Sequence, residues 1–337
     1  MALAKDNYDI QKRLTSITVV LFAVKICAWA ITHSVAILTD SLEYTINVIA
    51  GFISLYSLFI SAQPKDQNHP YGHGKVEFLS AAVEAILMIF SSLIIVYEAI
   101  FNFVHPHPLQ KLDYGIYLIG FTALVNYAAG YYANRHGKKY NNLSLVATGR
   151  HMQSDTYATV GVISGLVIMY FTGYLWIDSA ISLLFAGIII FTAYKILRSS
   201  VAGIMDEADV VLLERVVNYL NEHRRENWMD LHNLRIIKYG SVLHVDCHLT
   251  VPYYFSIEDG HQEVKRLEDM IRESFGESVE MFVHMDGCLF AQCAICFKHD
   301  CPVRKKNFEK RLQWNTSNVS ANHKHTASSL DSGMSGS

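Results

Sequence analysis

Apolar residues run through the first two thirds of the chain in long blocks separated by short polar breaks, and then the pattern changes. A helix needs roughly 20 apolar residues to cross a hydrocarbon layer. Six blocks reach that length, at about 14–33, 36–61, 77–103, 113–134, 143–171 and 175–200. Only His33 and Ser34 separate the first two, which predicts a tight hairpin. From about residue 203 onward the chain reads as ordinary soluble sequence. VVLLERVVNYLNEH has helical periodicity, and LRIIKYG and SVLHVDCHLTV alternate as strands around Gly240-Ser241. HQEVKRLEDMIRESF is an amphipathic helix and VEMFVHMD a third strand. The order αββαβ predicts a small ferredoxin-like α+β sandwich. The expected architecture is therefore a six-helix transmembrane domain (1–205), a cytoplasmic α+β domain (206–288) and a cysteine-containing C-terminal tail (289–337). The tail turns basic and then rich in Ser, Asn and Thr, a composition expected to be disordered.

Composition agrees with the membrane reading. Hydrophobic residues make up 51% of the chain and charged residues 18%, below the roughly 25% of soluble domains, and mean hydropathy is +0.19. The net charge of -3, with no basic stripe, argues against nucleic acid as a partner. Basic residues set the orientation. Lys5, Lys12, Arg13, Lys65, Lys75, Arg135, Lys138 and Lys139 fall on one side with the C-terminal region, while Lys111 falls on the other. Both termini are thus expected in the cytoplasm and the chain in the cell inner membrane. The first apolar block lacks a small-residue cleavage site, so no cleavable signal peptide is expected.

The informative residues are the polar ones inside apolar blocks. A charge at the membrane centre costs at least about 2.5–3.5 kcal/mol, so it usually serves a pathway, a relay or a partner. TDSLEYTIN places Glu43 and Asn47 four residues apart, on one helix face. HMQSD in the fifth block places His151 and Asp155 at the same spacing. Two such pairs facing each other would make a four-ligand cage, and its two carboxylates would balance a divalent ion. Zinc accepts imidazole nitrogen and carboxylate oxygen. The competing reading is hydrogen-bonded helix glue, which suits one pair better than two matched pairs. Asp40 lies on another face and is not read as a ligand.

These motifs carry a family resemblance. Thr39-Asp40 followed by Glu43 and Asn47, His151 with Asp155, and the loop QPKDQNHPYGHGKVE resemble the cation diffusion facilitators, exporters of divalent metals. The likeness covers about residues 10–288. It implies a transport site at Glu43, Asn47, His151 and Asp155, export by metal/proton antiport, and a homodimer in the lipid membrane. The family more often has Asp or His followed by Asp in the second span, so Glu43 and Asn47 depart from its pattern. Zinc is the first expectation, and iron(II), manganese(II) and cobalt(II) accept oxygen-richer sites. The resemblance also implies a boundary site at Asp66, His69 and His73. It further implies a paired zinc site between protomers at His232, His248, His261, His284 and Asp286. On the strand reading, His284 and Asp286 share one face.

Cys288 sits where the family often has a cysteine, while Cys293, Cys296 and Cys301, with His299, are additions of this chain. C-x2-C is one arm of a thiolate zinc site, but a second C-x2-C is missing. Metal, redox and incidental thiols all remain open there. The rival to transport is a membrane metal sensor that binds without moving the ion. An enzyme is not expected, since no H-E-x-x-H motif is present.

Overall fold

The apolar blocks fold as α1 (Ala2–Thr32), α2 (Val35–Ser61), α3 (Val76–Val104), α4 (Gly115–Lys139), α5 (Leu143–Thr172) and α6 (Trp176–Ile204). The computed structural model describes residues 2–32, 35–104, 115–172, 176–240, 242–276 and 278–326, the side chains of residues 2–5, 28, 29, 31–43, 102, 115–119, 162, 163, 165–172, 177 and 178 excepted. The expected hairpin at His33 and Ser34 lies outside the described residues. The chain divides into two compact units, Met1–Met205 and Asp206–Ser337.

Among the described residues, three stretches are long and apolar enough to cross a membrane: Tyr44–Ser61, Val76–Phe101 and Ser179–Ile204. The other helices are less apolar because of what they turn inward. Gln11 and Thr15 of α1, Asn126 and Asn134 of α4, and Thr148, His151 and Gln153 of α5 are all buried. The outer surface is the inverse of a water-soluble bundle. On α3, Leu79, Ile86, Phe90, Leu93, Tyr97 and Ile100 recur every three, four or seven residues and are all exposed. Such a stripe suits hydrocarbon, and the first unit is a helical membrane domain.

Lipid tails are as apolar as a leucine side chain, so helices in a membrane associate through close packing. Ala81, Ala85 and Met88 of α3 meet Ile189, Ala193 and Ile196 of α6 in this way. The α4–α5 crossing is closer still. A Cβ added at Gly149 would stand 2.5 Å from the Asn134 nitrogen and 2.7 Å from the Gly130 oxygen. Only glycine permits that approach, and Gly149 lies two residues before His151.

The second unit contains α7 (Val210–Glu222), β1 (Asp230–Tyr239), β2 (Val242–Val251), α8 (Ile257–Phe275) and β3 (Val279–Gly287). The sheet order is β1-β2-β3, with β1 antiparallel and β3 parallel to β2. Odd-numbered residues of β2 (Leu243, Val245, Cys247, Leu249) form one core with Val216 and Leu220 of α7 and Leu267 and Ile271 of α8. Asp209 caps α7 and Ser256 caps α8, each accepting a hydrogen bond from a backbone N–H of the first turn. β1 begins four residues before the expected strand. Asn233 takes φ 53, and the pairing register shifts between His232 and Arg235. This bulge breaks the alternation that would have marked the strand in sequence.

The disorder expected from residue 289 onward does not hold through residue 326. Trp314 and Val319, the latter on the short helix α9 (Thr316–Val319), are buried in the sheet–helix core. The Arg224 guanidinium lies 3.9 Å from the Trp314 ring centroid and donates to the Leu312 carbonyl at 2.7 Å. Scattered apolar residues in a polar stretch are a weak compositional signal, yet Trp314 and Val319 reach the core. Trp314→Ala should cost about 3–5 kcal/mol of this packing and make residues 289–326 far more sensitive to protease. An unchanged cleavage rate would contradict the docking.

Candidate metal centres

Inside the helical unit, α2 and α5 meet through their polar residues. Asn47 Nδ2 donates to Asp155 Oδ2 at 2.6 Å, and His151 Nε2 lies 3.9 Å from Asp155 Oδ1. Asn47, His151 and Asp155 line one cavity of about 20 Å³ together with Tyr44, Glu84 and Thr148. That volume holds one water-sized occupant. Glu43 lies on α2 one turn before Asn47, and its side chain lies outside the described residues. The amide nitrogen of Asn47 is a donor and cannot bind a cation, so Oδ1 is the ligand atom this residue can offer.

Glu84 of α3 was missed in sequence, although a lone acid in an apolar block is the same signal that singled out Glu43. Its Oε1 accepts from Thr148 Oγ1 at 2.8 Å. Thr148 reaches Ser54 at 3.1 Å, Ser54 lies 2.6 Å from Ser144, and Ser80 reaches Ser144 at 3.1 Å. Ser80 and Ser144 belong to the first turns of α3 and α5. The hydroxyls therefore form a polar track from the cavity towards the N-terminal ends of α3 and α5.

The loop 62–75 holds a second group. Ligand atoms of Asp66, His69 and His73 lie within 4.8 Å of one another. Asp66 Oδ1 accepts the backbone N–H of His69 at 2.6 Å and of Asn68 at 2.9 Å. These bonds, the one from His69 foremost, hold the Asp66 carboxyl below its ordinary range. The carboxylate is charged and half exposed, a geometry suited to weak metal binding. The same bonds also organise the turn without any ion.

The third group stands on the sheet. His232, His248 and His284 occupy neighbouring register positions on β1, β2 and β3. They lie on the face opposite the helices. Asp286 Oδ2 is 3.2 Å from His248 Nδ1 and 3.5 Å from His232 Nε2. Ligand atoms of these three residues fall within 4.8 Å of one another. The His284 ring is tilted against that of His248 with centroids 4.7 Å apart, and its Nε2 is 3.9 Å from Asp286. His261, expected to join the set, is exposed on α8 and stands outside this group. Burial lowers the pKa of His232 and keeps the imidazole neutral, the form that binds a metal.

Three residues around the sheet group were not anticipated. The fully buried Asp230 accepts from the His325 backbone N–H at 2.8 Å and lies 2.7 Å from its Nδ1. Lys324 Nζ sits 3.0 Å from Asp286 Oδ1 and donates to the Gly287 carbonyl. Burial works against the charged form of Asp286, but Lys324 and His248 outweigh it and hold the carboxyl below its usual range. The tail thus places a tethered cation on the carboxylate that a metal ion would use. Removing it in Lys324→Ala should tighten metal binding at this group several-fold, by about 1 kcal/mol. Asp286→Ala should weaken binding tenfold or more. Competition titration against a metal-sensitive dye reads both, and equal affinities for parent and Lys324→Ala would contradict the competition.

Comparison with known proteins places the chain. Residues 13–205 match the cation efflux transmembrane domain family, and residues 209–288 match the cytoplasmic domain of cation efflux proteins. An uncharacterized transporter of Synechocystis is 28% identical, with 74% of this chain and 80% of the relative covered. The manganese efflux system protein MneP of Bacillus subtilis is 24% identical, with 84% and 98% covered. A cadmium, cobalt and zinc/H(+)-K(+) antiporter of Bacillus velezensis is 24% identical, with 71% and 76% covered. An outward apolar stripe, buried polar clusters and these two matched domains lead to one conclusion: the chain belongs to the cation efflux family, the cation diffusion facilitators, membrane proteins that export divalent metal ions.

Proposed function

We propose that this protein exports a divalent metal ion from the cytoplasm in exchange for protons, through a site formed by Asn47, His151, Asp155 and Glu43. Six helices cross the cell membrane with both termini inside. Two chains pair through their cytoplasmic ferredoxin-like domains, whose histidine-bearing sheet face takes metal as a regulator. The observation that carries the reading is the meeting of Asn47, His151 and Asp155 on one small cavity within a lipid-facing bundle. A buried carboxylate and imidazole are costly there unless they serve an ion or a proton.

The same groups explain the exchange. His151 and Asp155 bind metal only when deprotonated, so protons arriving from the far side displace it. Glu84 and its hydroxyl track supply a polar route from the cytoplasmic ends of α3 and α5 to the cavity. Rocking of the helices around a midplane site would alternate its access. Imidazole with carboxylate suits zinc first. Glu43, Asn47 and Asp155, with Glu84 nearby, make the set rich in oxygen, which also admits manganese, iron(II) and cobalt(II). Relatives named for manganese efflux and for cadmium, cobalt and zinc antiport span that range.

A second reading is a metal sensor that binds without moving the ion, favoured by the two groups outside the helices. Reconstituted vesicles separate the two. Metal uptake driven by a pH gradient is expected for the parent, with zinc, manganese, iron and cobalt in competition. Asp155→Ala should lower uptake roughly 100-fold or more, and Asn47→Asp should shift preference towards zinc several-fold. Glu84→Gln should slow uptake while leaving the order of metals unchanged. Stoichiometric binding by the parent without flux would decide for the sensor.

A further inference from the structure

Four of the six cysteines fall within fourteen residues in the symmetric pattern C-x4-C-x2-C-x4-C, at Cys288, Cys293, Cys296 and Cys301. All four line one cavity of about 20 Å³, and none is in a disulfide. We propose that Cys288, Cys293, Cys296 and Cys301 hold a resident zinc-class ion as a tetrathiolate, which staples residues 289–304 to the sheet and is separate from the transported metal.

Secondary structure does little to hold this segment. Between Gly287 and Asn315 the described residues contain one 3-10 turn, Phe290–Gln292, and no strand. Yet Ala294 and Ile295 are fully buried, and Gln292 nearly so. Ordering each residue costs roughly 1.5 kcal/mol, which short segments commonly offset with a metal or a crosslink. The backbone already has the folded shape that such a site needs. The Cys288 N–H donates to the Val251 carbonyl at 2.9 Å and fixes the first ligand at the end of β2. Around C-x2-C, tight turns follow one another: Cys293 N–H to Phe290, Ile295 N–H to Gln292, and Cys296 N–H to Cys293.

Charge is partly offset as well. Four thiolates around a divalent ion leave a net charge of about -2. The Arg304 guanidinium donates to the carbonyls of Cys293, Cys296 and Lys298 at 3.0, 3.0 and 2.6 Å, so a fixed cation closes the loop that bears the thiols. Zinc–sulfur bonds of about 2.3 Å place sulfurs roughly 3.8 Å apart in a tetrahedron. Among the described residues, the groups already drawn within 4.8 Å are the two histidine–aspartate sets, so the ion must pull these sulfurs inward. A reducing cytoplasm favours metal over disulfide for such a spacing.

The staple also reaches the sheet group. Gln292, within the cysteine loop, donates through Nε2 to Asp230 at 3.3 Å, the residue that holds His325.

The test uses the full-length protein purified under reducing conditions. The parent should retain about one zinc per chain more than the variant with all four cysteines changed to serine. Parent protein loaded with cobalt(II) should show the near-ultraviolet sulfur-to-cobalt charge-transfer band of a tetrahedral thiolate site. That band should persist in His232→Ala/His248→Ala and vanish in the variant with all four cysteines changed to serine. Because the band is read on the parent, misfolding of a variant cannot mimic failure. A cobalt-loaded parent without sulfur charge transfer would overturn the proposal, as would mapping of a Cys293–Cys296 disulfide in anaerobically purified protein. Neither result depends on transport.

Discussion

The Asp155 carboxylate has to be satisfied inside a bundle whose outer face is hydrocarbon-like, and much of the first unit is arranged around that need. Its cost is met by the Asn47 amide at 2.6 Å and by a histidine one turn earlier on the same helix. The amide reaches Asp155 only if α5 sits correctly against α2. The Gly149–Gly130 approach brings α4 and α5 almost backbone to backbone. Thr148 and Ser144 bind across to Ser54 of α2. Small residues and hydroxyls do in this setting what large apolar side chains do in a water-soluble core, because lipid offers no gain for burying the latter. The site is therefore the place where packing and polarity coincide.

The second unit gathers its histidines by another geometry. A helix aligns groups four residues apart, whereas a sheet aligns groups by register across strands. His232, His248 and His284 come from three strands and stand side by side only because β2 pairs antiparallel with β1 and parallel with β3. The bulge at Asn233 sets how His232 enters that row. On the other face of the same strands, the odd-numbered residues pack on α7 and α8 and fix the sheet. A metal group built this way is stiff at its strands and adjustable where the tail meets it, at Lys324 and His325.

The C-terminal segment is a polar stretch held in part by scattered apolar residues. Trp314 and Val319 enter the core, and Arg224 spans from the Trp314 ring to the backbone carbonyls around it. In a membrane protein the charged residues of such a segment would otherwise stay in water. Here they are spent on carbonyls and carboxylates: Arg304 on the cysteine loop, and Lys324 on Asp286.

The sequence by itself determined the elements. Long apolar blocks became long helices, period-two alternation became β2 and β3, and acids and histidines four apart in apolar blocks pointed to α2 and α5. These are local signals, written in the spacing of neighbouring residues. Tertiary structure alone decided which groups meet. Glu84 joins the cavity from α3, and Asp230, Lys324 and His325 join the sheet group across 37 to 95 positions of chain. His261 matches the resemblance and is exposed on α8, outside that group. The physical reason is the same throughout: periodicity fixes the face a residue occupies, while a ligand shell depends on which faces packing brings within a few ångströms.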